Sequence, residues 1–115
     1  MLSRANRFHG LGSLRHVYRG GQTARGPLFG VKAVTNSRRR DWRAAVVVSR
    51  KVNKSAVARN RIRRRLYEAL RQLDAQITRP HDIVVTVFSD KVIETPHAEL
   101  TGQLKKQLKQ AGVLQ

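Results

Sequence analysis

At 115 residues the chain can build one domain with a modest core but not two independent ones. Its hydrophobic share of 40% includes only three Phe, two Tyr and one Trp, so aliphatic side chains must form the core; with no Cys, disulfides, thiolate catalysis and most structural zinc sites are excluded, and a reducing cytoplasmic setting is expected. Twenty-four Lys and Arg against seven Asp and Glu give a net charge of +17, a self-repelling balance that predicts a polyanionic partner, nucleic acid well ahead of an anionic membrane.

Residues 1–10 are polar and basic and read as a flexible arm, with no apolar stretch of the kind a secretory signal carries. Leu11, Leu14, Val17 and Tyr18 recur at helical spacing, which predicts a short helix ending at Gly20-Gly21. Between residues 22 and 37, Phe29, Val31 and Ala33 alternate after the Gly26-Pro27 punctuation, so one or two strands are expected there. "NSRRRD" (36–41) is a polar turn, and "WRAAVVVSR" (42–50) is a β-branched run of the kind buried on both faces of a sheet. "KVNK" (51–54) then leads into a long helix with Ser55 or Asn53 as N-cap, expected to reach about Ile77 before Thr78-Arg79-Pro80 stops it. "DIVVTVFS" (82–89) is another apolar strand. Thr95-Pro96 has the cap-then-first-turn pattern of a last helix, with Leu100, Leu104, Leu108 and Ala111 as its buried stripe and Gly112 as its stop.

The long helix carries the sharpest anomaly. Five arginines (Arg59, Arg61, Arg63, Arg64, Arg65) occupy seven consecutive positions. On a wheel of about 100° per residue, Ala58, Ile62, Leu66, Ala69, Leu70, Leu73 and Ile77 fall within about 120° and form the core stripe. Arg61 and Arg65 lie on one flank, Arg59 and Arg63 on the other edge, and Asn60, Arg64, Tyr67 and Arg71 opposite. A merely solvated face would intersperse acids for i,i+4 pairing, yet residues 50–65 hold eight basic residues and no acid. The cations also sit at the helix N-terminus, where the macrodipole is already positive and each costs a few tenths of a kcal/mol. Arginine rather than lysine favours bidentate phosphate grip and base stacking, which suits structured RNA surrounding the helix start.

The stretch "VSRKVNKSAVARNRIRRRLYEALR" (48–71) resembles the signature of the bacterial ribonuclease P protein family. There, a strand ending in Val-Ser-(Lys/Arg)-Lys leads through a loop and Ala-Val into Arg-Asn-Arg and a further basic run on a long helix. Val48, Ser49, Arg50, Lys51, Ala56, Val57, Arg59, Asn60 and Arg61 match, as do the Arg7-Phe8 start and the Tyr18-Arg19-Gly20 helix end. The resemblance implies one α+β domain over residues 1–115: a four-stranded mixed sheet with three helices, like the second domain of a small-subunit ribosomal protein. It also implies a βαβ crossover around the arginine helix, left-handed against the usual rule.

The implied function is that of the small subunit of a ribonucleoprotein endonuclease that removes the 5′ leader of precursor tRNA, with the RNA subunit as the Mg²⁺-dependent catalyst. By matching position, Arg50, Lys51, Lys54, Arg59, Asn60, Arg61, Arg64 and Arg65 would contact the catalytic RNA. Leu14, Tyr18, Lys32 and Ser49 would line the leader cleft. Leu14 and Lys32 stand where the family has aromatics, which implies less stacking and more phosphate attraction, and Asn53 stands where many members have Gly. No catalytic or metal-binding residue is expected in the protein, and no membrane or small-molecule substrate. His9, His16, His81 and His97 are scattered, and Asp41, Asp74, Asp82 and Asp90 read as ordinary surface groups. The alternative is a structured-RNA or ribosome-binding protein without a catalytic partner. A DNA-binding regulator is more distant, because the second helix of a helix-turn-helix is missing.

Overall fold

A computed structural model describes residues 17, 20–37 and 40–114, and within them the chain runs through four strands and two α-helices. These are β1 (Gln22–Arg25), β2 (Phe29–Thr35), β3 (Arg43–Val47), α1 (Ala56–Gln72), β4 (His81–Val87) and α2 (His97–Gln110), with 3₁₀ turns at Asp74–Gln76 and Asp90–Ile93. The sheet order is β1-β2-β4-β3. Both pairings of β2 are antiparallel, while β3 and β4 run parallel with α1 between them, so the expected mixed sheet and βαβ unit are present. Val17 and Gly20 are helical, and the Gly21 N–H donates to the Val17 carbonyl at 2.9 Å, which ends that helix at the glycine pair. The rest of the expected first helix, including Leu14 and Tyr18, and the 1–10 arm lie outside the described residues.

Strand parity sorts the sheet into two faces. Phe29, Val31 and Ala33 of β2, Ala44 and Val46 of β3, and Ile83, Val85 and Val87 of β4 point into one core with the helices. Ile62, Leu66, Ala69, Leu70 and Leu73 of α1 and Leu100, Leu104 and Leu108 of α2 complete it. The wheel stripe is buried from Ile62 to Ile77, with Ala58 half-buried at its start. Val17 and Val84, fully buried but outside this cluster, belong to the opposite face. β4 is the inner strand buried on both faces. β3 is an edge strand, so its outward Ala45 and Val47 stay half-buried, unlike the expectation for that run.

Of the one or two strands expected over 22–37 the chain forms two, because Pro27 cannot donate to a ladder and Gly26 turns the chain, its N–H reaching the Phe29 carbonyl at 3.1 Å. Other boundaries differ from the sequence reading. α1 stops at Gln72, where Leu73 caps it and the chain tightens into the 3₁₀ turn; Leu73 and Ile77 keep the stripe's burial without continuing the helix. α2 is capped by Pro96 without a side-chain bond, while the Thr95 hydroxyl donates to the Lys91 carbonyl at 2.8 Å. The Gly112 stop is as expected. At φ +80°, Gly112 lets its own N–H reach Lys109 O (3.1 Å) and the Val113 N–H reach Leu108 O (2.9 Å), a Schellman closure.

Three polar residues read as surface groups are structural. Asp82 is buried and accepts a bidentate pair from buried Arg43 (Nε 3.0 Å, Nη2 2.9 Å) and a third bond from Asn36 Nδ2 (2.9 Å), pinning β3 to β4 at a register pair. His81 is also buried, with Nδ1 3.0 Å from Arg79 O. Asp74 accepts from Trp42 Nε1 at 2.6 Å and ties the end of α1 to the start of β3.

Candidate nucleic-acid interface

The parallel strands β3 and β4 finish at the same end of the sheet, with Val47 beside Thr86. The chain leaves β3 there through residues 48–55 into the positive end of α1, and leaves β4 there into the 3₁₀ turn at Asp90–Ile93. The basic run therefore sits where the first turn of α1 contains no acid to offset it.

Both sequence-level N-cap possibilities are used. Ser55 Oγ accepts the Ala58 N–H at 3.2 Å, and Asn53 Oδ1 accepts the Ser55 N–H at 2.9 Å. Asn53 Nδ2 also donates to Asp90 Oδ2 at 3.2 Å and so links the two strand exits. The turn itself closes through Val52 N–H to Ser49 O at 3.1 Å.

The arginines divide into two kinds. Arg59 Nη1 donates to the carbonyls of Asn53 (3.0 Å) and Lys54 (2.9 Å), clasping the loop that precedes its own helix. Arg65 holds the other side: Nη1 donates to Val92 O and to Ile93 O (2.9 Å), and Nη2 to Thr95 O (2.5 Å). Arg63 Nη2 donates to Asn60 Oδ1. By contrast Arg50, Lys51, Lys54, Arg61 and Arg64 are exposed and have no hydrogen-bond or ion-pair partner among the described residues. Tyr67, placed opposite the stripe by the wheel, is half-buried. Its long side chain reaches β3, where the hydroxyl accepts the Val46 N–H of the edge strand at 3.2 Å.

Of the four expected cleft residues, Lys32 and Ser49 are described. Lys32 lies on the outer face of β2, opposite Val84, with its Cγ 2.9 Å from where a Cβ on Gly21 would stand, so the glycine that ends the first helix makes room for its stem. Ser49 is exposed just beyond the end of β3. The sequence reading passed over Phe88 and Arg25 on this same face. Phe88 follows Thr86 at outward parity, is 39% exposed, and has the Arg25 guanidinium 4.3 Å from its ring centroid. They line one cavity of about 150 Å³ with Lys32, Gly30, Thr23 and Thr86. An aromatic on the outward side of a strand was the clue available in the sequence.

Among the described residues, no group of three or more His, Asp or Glu could hold a metal ion, and no helix is long and apolar enough to cross a membrane.

The ribonuclease P family model matches residues 2–112. The chain is 37% identical over 113 residues to a ribonuclease P protein component of Chloroflexus aurantiacus, covering 98% of this chain and 82% of that protein. It is 38% identical to one from a Pseudanabaena strain, covering 99% and 97%. Among solved structures, the RNase P protein of Staphylococcus aureus superposes with a TM-score of 0.83 at 24% identity, covering 97% of this chain and all of that one. The Thermotoga maritima RNase P protein gives 0.73 at 24% identity, covering 84% and 88%. These two share the fold.

Proposed function

This chain belongs to the bacterial ribonuclease P protein family and serves tRNA processing as the protein subunit of that ribonucleoprotein, and on that premise we propose that its two basic surfaces divide the work between catalytic RNA and substrate. Arg50, Lys51, Lys54, Asn60, Arg61 and Arg64 grip phosphates of the RNA subunit. The observation that carries this assignment is the exposure of the five cations without internal partners among the described residues, at the acid-free start of α1, where Asn60 is exposed beside them. Arg59 does both jobs, since its loop bonds run from Nη1 alone. Arg65 acts as a positioning residue that holds the 90–95 segment against α1.

The precursor-tRNA leader lies along the outer sheet face beside Lys32 and Ser49; Leu14 and Tyr18, the remaining expected cleft residues, lie outside the described residues. This face adjoins the arginine end, so one RNA assembly can reach both. Bond cleavage belongs to the RNA subunit in this reading. Mg²⁺ belongs to the RNA subunit in the same reading, and no step is routed through the protein. The setting is the cytoplasm, where precursor tRNA is made.

Reconstitution tests the whole reading. Purified protein added to a bacterial ribonuclease P RNA at low Mg²⁺ should stimulate 5′-leader removal from precursor tRNA. No stimulation would sink the proposal, and cleavage by the protein without RNA would replace it with an autonomous nuclease.

A further inference from the structure

We propose that Arg25, Gly30 and Phe88 form a stacking subsite for one unpaired nucleobase of the precursor's 5′ leader, an inference that rests on the reading of the outer sheet face as the leader surface.

Single exposed apolar residues are ordinary, but Phe88 has a built surrounding. The ring lies over Gly30, where a Cβ would come within 3.2 Å of its Cε2 and Cζ and 3.3 Å of the Ala24 carbonyl. Any side chain at position 30 would crowd the ring, so glycine there keeps an aromatic seated close over the sheet. Arg25 pairs with Gly30 across the β1–β2 ladder, which brings its guanidinium over the ring. The cavity that Arg25, Gly30 and Phe88 line with Thr23, Lys32 and Thr86, at about 150 Å³, has the volume that accepts a benzene-like ring in other proteins.

The lining selects the occupant. It offers the guanidinium plane of Arg25, backed by the Phe88 ring, for stacking, the hydroxyls of Thr23 and Thr86 for a polar edge, and Lys32 for an adjoining phosphate, with no acid. An apolar peptide would waste the cations, and a base paired in a duplex could not enter. A flexible single strand satisfies all of these conditions. The location agrees: Phe88 lies two residues beyond Thr86, as Ser49 lies two beyond Thr86's parallel partner Val47, so the subsite opens at the sheet end that carries the basic loop.

The test uses holoenzyme reconstituted from this protein and a bacterial ribonuclease P RNA. Affinity is measured for mature tRNA, for precursor tRNA, and for a set of precursors each lacking one leader base. The wild type should lose about tenfold in affinity when one particular base is removed, the share of a single stacked base. Phe88→Ala should bind the intact precursor about tenfold more weakly, show no further loss at that position, and bind mature tRNA normally. Phe88→Trp should restore the difference, which a mere folding defect in the Ala variant would not mimic. A Phe88→Ala enzyme with wild-type precursor affinity, or with equal losses for precursor and mature tRNA, overturns the subsite while the leader reading stands. A wild-type holoenzyme that binds precursor and mature tRNA alike overturns the leader reading and the subsite with it.

Discussion

The two described helices bury nearly the same kind of stripe and treat their ends in opposite ways. α2 packs Leu100, Leu104 and Leu108 into the core, carries Glu99 in its first turn and Lys109 in its last, and so matches its macrodipole at both ends. α1 packs Ile62, Leu66, Ala69 and Leu70, yet begins with no acid and a run of arginines. Packing thus explains both helices equally, and the N-terminal half of α1 is left with a charge distribution that packing does not require. Local devices offset the cost: the Ser55 cap, the Asn53 bond behind it, and the Arg59 clasp on the loop carbonyls. What remains uncompensated, Arg61 and Arg64 above all, is the part of the helix that the proposal assigns to an anionic partner.

Truncating either stripe should show that the helices are alike inside. Leu66→Ala and Leu104→Ala should each lower unfolding stability by about 2–5 kcal/mol in denaturant titrations, and a small effect at one site would break the equivalence. Outside the core the helices should part company. Arg61→Ala combined with Arg64→Ala should weaken binding to ribonuclease P RNA by about 2–3 kcal/mol, charge-assisted bonds being the strong ones. The same pair should flatten the dependence of log K on log salt by about 1.4–1.8. Stability should hold or rise by a few tenths of a kcal/mol, because cations leave a positive helix end.

A smaller effect separates the arginines from one another. Arg65→Ala strips donors from the carbonyls of Val92, Ile93 and Thr95 and should cost about 1–2 kcal/mol of stability, whereas Arg64→Ala should stay within about 0.5 kcal/mol. Equal melting shifts for the two would refute the division into positioning and binding arginines. The smallest effect lies at the far end of α1. There Arg71 donates to Glu68 (Nε 3.0 Å, Nη2 2.5 Å), and this bond holds the Glu68 carboxyl below its ordinary range. A depressed folded pKa means that the pair's contribution is present above the ordinary carboxylate range and is lost as pH falls through the lowered value. In an NMR titration Arg71→Ala should return Glu68 to the ordinary carboxylate range.

Much of this was legible beforehand because the informative patterns are local. The α1 stripe follows from a 3.6-residue period, the Ser55 cap from a hydroxyl before the run, and the Gly112 stop from the need for positive φ after a helix. The basic motif at 48–65 could be read for the same reason, since its residues are neighbours in the chain. What resisted reading depended on partners far away in sequence. Asp82 and Arg43 are 39 positions apart, and only the parallel register of β3 on β4 makes them a buried pair. Tyr67 looked outward on a wheel, which records direction and ignores that a long phenol can reach the edge of β3. Phe88 was counted as one more apolar strand residue until Gly30 and Arg25 met it across the sheet.

The order of elements, the core stripe and the overcharged start of α1 are therefore properties of the linear chain, set by periodicity, capping chemistry and the sign of neighbouring charges. Which arginines stay available for RNA is a property of the folded molecule. Arg65 differs from Arg61 and Arg64 by what lies within reach of its guanidinium, not by residue type or local context. For Arg65 that is the turn after β4, brought there by the crossover from β3 through α1. A cation's role depends on whether the fold offers it a carbonyl, and the turn that offers it lies 27 to 30 residues further along the chain.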